Sequence, residues 1–124
     1  MQATGIDRAD DYVRAAVGAD RVHPLLFAAQ PALHFPSTTP RDNVVCFAGS
    51  YGEPELAARR VDLEHLLDGA AAFDLRILDR NSGRGGDAAK RFPARYQPFV
   101  HPAVDYQALG ALQRRYKVFL NVNS

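Results

Sequence analysis

The stretch RDNVVCFAGSYGEPELAARRVDLEHLLDGAAAFDLRILDRN, residues 41–81, decides the fold. Its run Val44-Val45-Cys46-Phe47-Ala48 is apolar without alternation, which suits a strand buried on both faces. Gly49-Ser50-Tyr51-Gly52 reads as a turn, and Pro54 suits the opening of a helix that runs to about residue 71. In that helix Leu56, Leu63, Leu66, Leu67 and Ala70 share a face, with Arg59, Arg60, Asp62 and Glu64 mostly outside it. Such a helix lays its apolar stripe on a sheet. Residues 75–78 then return directly to strand. A strand-turn-helix-strand unit predicts parallel pairing through a right-handed crossover.

Working outward, residues 79–95 form a Gly-rich basic loop and 97–100 a third strand. Tyr106, Leu109, Leu112 and Tyr116 mark a further helix, which leads into a last strand over 118–122. The expected class is α/β, a partial Rossmann-like parallel sheet of about four strands. Upstream, Tyr12, Val13, Ala16 and Val17 lie at helical spacing over residues 7–17, with Gly18 placed as a C-terminal cap. Between them Pro24, Pro31, Pro36 and Pro40 interrupt the apolar run LLFAAQPALHF, so residues 21–43 read as a linker. Its Leu25, Leu26, Phe27, Leu33 and Phe35 are expected to pack against something.

With 124 residues, 47% hydrophobic and 23% charged, the chain is sized for one globular domain or pieces of two. A formal net charge of +1 gives no overall pull toward nucleic acid or an anionic membrane, and no apolar run approaches a membrane span. The first residues lack a charged segment followed by an apolar one, so a cytoplasmic setting is expected. Cys46, the lone cysteine, sits in the apolar strand and reads as a buried thiol. His23, His34, His65 and His101 have neither metal-ligand spacing nor cysteine companions, so no metal is expected. No serine lies in a nucleophile elbow, and no catalytic residue can be named.

Two stretches could carry ligand chemistry. A strand-to-helix turn with two glycines, GSYG, lets backbone N–H groups approach a phosphate at a helix N-terminus. It matches neither a Walker loop nor GxGxxG, and pattern alone favours a plain turn. Arg76, Arg80, Arg84, Lys90, Arg91 and Arg95 could likewise cradle phosphates, although a mobile, solvated loop is the preferred reading. Only Phe92 and Tyr96 interleave with these cations, which argues against single-stranded nucleic acid as a partner.

The ordered series LLFAAQPALHFP, RDNVVCFAGSYG, RRVDLEHLLDGA, LRILDRN, RFPARYQPFVHPAVDYQALGAL and YKVFLNVNS resembles the CgeB-like, spore maturation type family of GT-B glycosyltransferases. The resemblance covers roughly residues 21–124. It implies that residues 1–20 are the tail of an N-terminal domain, 21–43 the interdomain linker, and 44–124 the first half of a donor-binding domain with strand order 3-2-1-4. It further implies a nucleotide-sugar donor, UDP-linked, with Gly49, Ser50 and Tyr51 facing its diphosphate and Asn123 and Ser124 at the edge of the same site. The acceptor is unknown. In relatives the strand matching YKVFLNVNS leads into a loop and helix that grip the ribose, so the chain is expected to be a fragment, inactive alone and weak in donor binding. Its last strand would then be an uncovered edge prone to self-association. Here Ala57-Ala58 stand where relatives carry Pro-Glu ahead of the paired arginines, Arg59 and Arg60. A stand-alone nucleotide-binding or regulatory module of flavodoxin-like type, or a non-catalytic interaction domain, are the alternatives.

Overall fold

A computed structural model of the chain describes residues 5–83 and 87–122, with side chains from residue 11 onward. The chain divides into two compact units, Met1–Gln30 and Pro31–Ser124. The first carries helix α1 (Gly5–Val17), in which Tyr12, Val13 and Val17 are exposed. Gly18 does follow α1, its N–H donating to the Arg14 carbonyl at 3.0 Å. Leu25, Leu26 and Phe27 are exposed as well, contrary to the expectation that they pack. Three consecutive apolar residues behind Pro24, outside any helix or strand, have no periodicity that could turn them to one surface.

The second unit is the sheet. Its strands are β1 (Asp42–Gly49), β2 (Asp74–Asp79), β3 (Val100–Pro102) and β4 (Tyr116–Phe119), with helices α2 (Ala57–Ala70) and α3 (Tyr106–Arg115). All pairs are parallel, in the order β3-β2-β1-β4, as expected. This is the order of a Rossmann half, with β3 beside β2; a flavodoxin-type sheet sets its third strand beside the first.

The unbroken apolar run of β1 is explained by cover on both faces. One face carries Phe47, Leu75 and Ile77 against Leu63, Leu67 and Ala70 of α2, joined by Tyr51, Phe92 and Tyr96. The other carries Val44, Cys46, Leu78 and Tyr116, with Leu109 and Leu112 of α3. Leu63 and Leu67, both fully buried, together contribute roughly 3–6 kcal/mol of apolar burial. On this second unit Leu33 is half-buried, whereas Phe35 stays exposed and is touched by one cation. The Arg114 guanidinium lies 4.1 Å from the Phe35 ring centroid and donates to the Leu33 carbonyl at 2.9 Å.

Element boundaries differ from expectation at three places. Helix α2 starts at Ala57 because Glu53 to Leu56 close a turn, the Leu56 N–H donating to the Glu53 carbonyl at 3.0 Å, so Leu56 stands outside the helix and is exposed. Residues 94–99 form a 3-10 helix in place of a strand. Pro98 has no N–H for a sheet ladder, and buried Tyr96 anchors the turn by its hydroxyl on the Asp68 carboxylate at 2.5 Å. Finally, β4 begins at Tyr116 because the residue capping α3 is already extended, with no intervening turn.

Candidate functional site

The chain runs from β1 to β2 to β3 on one side and returns to β4 on the other side of β1. In open parallel sheets such a reversal opens a crevice beyond the carboxyl ends of the two strands, where ligands bind. Gly49, Ser50 and Tyr51 lie at that end of β1. Beyond β4, the Leu120 N–H still pairs with the Cys46 carbonyl at 2.8 Å, and Asn123 and Ser124 lie outside the described residues.

Glycines are required on both sides of Ser50-Tyr51. A Cβ on Gly49 would sit 2.9 Å from the Phe47 ring, and Gly52 has φ +97, with any Cβ 2.8 Å from the Arg59 guanidinium. The side chain of Tyr51 turns away from the crevice into the core. Its ring tilts against Phe92 at 5.4 Å between centroids, and its hydroxyl donates to Glu64 Oε1 at 2.7 Å. Burial first, then the Glu64 carboxylate, raises its phenol above the ordinary range. Tyr51 can therefore offer a ligand its peptide group and not its hydroxyl.

The backbone of the turn is unevenly satisfied. The Gly52 carbonyl accepts from Arg60 Nη2 at 2.6 Å, and Arg59 Nη1 lies 3.4 Å from the Ser50 and Tyr51 carbonyls. Among the described residues, the N–H groups of Ser50, Tyr51, Gly52 and Glu53 have no acceptor. Successive unpartnered amides next to guanidinium groups are suited to an anion.

Asp79 closes the other side of Gly49. It is 8% exposed at the end of β2, its Oδ1 accepts the Asn81 N–H at 2.9 Å, and the Arg80 N–H donates to the Gly49 carbonyl at 3.0 Å. A hollow of about 80 Å³ lies here, between Gly49, Arg80, Val104 and Leu109.

Five of the six cations of this stretch lie among the described residues, and these do not converge. Arg76 bonds the Tyr116 hydroxyl at 2.8 Å and pairs with Asp74, while Arg95 pairs with Glu64 and Asp68. Both are structural. Lys90 pairs with Glu53 at 2.9 Å, next to the turn, and Arg80 and Arg91 are exposed without a side-chain partner among the described residues. Arg84 lies outside them. The residue the sequence did not single out as part of the site is Arg60. A signal was available: a helix N-terminus favours acids, so two arginines in the first turn of α2 call for a local reason.

Among the described residues no group of three His, Cys, Asp or Glu side chains could hold a metal ion, and no helix is long and apolar enough to cross a membrane. Fold and crevice define the class as a parallel α/β unit with a topological switch point at β1 and β4. Compared with protein-family models, curated proteins and solved structures, the chain matches none.

Proposed function

We propose that the chain is the donor-binding portion of a cytoplasmic, GT-B type glycosyltransferase that takes a UDP-linked sugar, inactive alone, with the donor diphosphate at the N–H groups of Ser50 to Glu53. The observation that carries this is the set of four unpartnered amides at the switch point, backed by Arg59 and Arg60. In glycosyl transfer the bond from the anomeric carbon to the diphosphate oxygen breaks, and negative charge grows on that oxygen. Preoriented amides and nearby guanidinium groups would stabilise the charge as it develops. Asn123 and Ser124 would border the same donor, and the acceptor and its base would come from outside the residues described here. A stand-alone nucleotide-binding module would use the same crevice without transfer.

Ligand-observed NMR tests the proposal. UDP should give saturation transfer with a Kd in the millimolar range, about −4 kcal/mol of binding, and uridine, lacking the diphosphate, should give none. Equal signals from UDP and uridine would remove the diphosphate from the interaction.

A further inference from the structure

Arg60 joins two separate pieces of backbone. Its Nη2 donates to the Gly52 carbonyl and to the Ala89 carbonyl, each at 2.6 Å, and its guanidinium lies 4.2 Å from the Tyr51 ring centroid. Ala89 belongs to a short 3-10 turn, Ala88–Lys90, begun by Asp87, whose carboxylate accepts the Ala89 N–H at 3.0 Å. Lys90 adds a second tie across the same gap through Glu53.

A purely structural role fits this residue poorly. Among the described residues Arg60 Nε is buried without a partner, and an unsatisfied buried donor lowers stability. A methionine would cover the Tyr51 ring without that penalty. What the guanidinium supplies, and methionine would not, is a positive charge that holds two carbonyls on its own side and leaves the amides of residues 50–53 unengaged.

We propose that Arg60 is the positioning residue of the anion site: it fixes the turn at residues 50–53 against the segment 87–91, so that diphosphate binding at the turn and ordering of that segment are coupled. The inference rests on the diphosphate reading of the turn. It brings Lys90 to the rim of the site, where a bound diphosphate would compete with Glu53 for it. Linkage makes the effect mutual: whatever orders 87–91 also tightens anion binding.

The test uses the full chain, inorganic pyrophosphate as the probe, and amide chemical shifts as the readout. In the unaltered protein, pyrophosphate should shift amides at 50–53 and at 88–91 with one common Kd. Arg60→Met should stay folded and weaken that Kd about tenfold, while decoupling the shifts at 88–91 from those at 50–53. Arg115→Met removes an equal charge at the opposite end of the sheet, where Arg115 pairs with Asp42, and should leave the Kd unchanged. Equal weakening by both variants, or unaltered coupling in Arg60→Met, overturns the assignment. If pyrophosphate leaves the unaltered protein's amides unmoved, the diphosphate reading itself fails. The strut is then read alone by hydrogen exchange: Arg60→Met should speed exchange at residues 88–91 while β1 and β2 stay protected, and unchanged exchange overturns it.

Discussion

Two cases show how single residues set the chemistry available here. Burial pushes the Cys46 thiol up from 9.0 to about 11, with Arg76 opposing the rise. Between those values the unfolded chain has lost the proton and the folded chain keeps it. Stability is therefore fully present below about pH 9 and falls as pH rises toward 11, by roughly 3 kcal/mol at most. The Tyr96 phenol, raised to about 12 mainly by burial and then by its bond to Asp68, extends the loss to higher pH. Melting curves from pH 8 upward should show this slope, and Cys46→Ala should flatten its lower part; a slope unchanged by the substitution would clear the thiol. Tyr51 gives the second case. Tyr51→Phe should cost about 0.5–1.5 kcal/mol in urea denaturation through its lost bond to Glu64, and leave pyrophosphate affinity untouched. A tenfold loss of affinity would bring the hydroxyl back into the site.

Among elements, the turn between β1 and α2 combines what the sequence revealed with what it hid. Two glycines within four residues of the end of an apolar run announced a tight strand-to-helix connection, and the structure gives each a reason: a Cβ on Gly49 would meet Phe47, and Gly52 has φ +97. Gly52→Ala should destabilise by about 1–3 kcal/mol, because φ +97 is strained for any Cβ and the added atom meets Arg59; an unchanged denaturation midpoint would show that the turn can relax. Hidden was the direction of Tyr51. Its neighbours in the core, Phe92 and Glu64, come from beyond the turn, and no local pattern reports such contacts. The basic loop was likewise legible as composition only. Arg76 and Arg95 find partners on Tyr116, Asp74, Glu64 and Asp68, residues brought close by the crossovers and not by spacing in sequence. The third strand begins later than its residues suggest for a related reason, since Gln97 to Phe99 carry strand-like residues around a proline that the ladder cannot use.

For the molecule as a whole, the parallel α/β class followed from a few long-range regularities, two apolar runs flanking an amphipathic helix and a second helix before the last strand, whereas the strand order was implied only by the family resemblance. One consequence concerns the edge. On the α2 side, Val45, Leu66, Phe73, Val118 and Leu120 line a trough of about 650 Å³ beside β4. Val118 is 42% exposed and Phe73 is 68% exposed, so β4 offers both unpaired backbone and apolar surface. The chain should self-associate with rising concentration in sedimentation velocity, and Val118→Lys should suppress it. Leu120, half-buried against the core, would unfold the strand if given a charge and is the wrong probe. A monomer at every concentration would show that Lys117 alone protects the edge. The central claim, a diphosphate held by the amides that follow β1, is tested most directly by mapping amide chemical shifts of the chain during titration with UDP. The largest shifts should fall on Ser50, Tyr51, Gly52 and Glu53, saturating together in the millimolar range. Shifts confined to the trough residues, with those four amides unmoved at saturation, would contradict it.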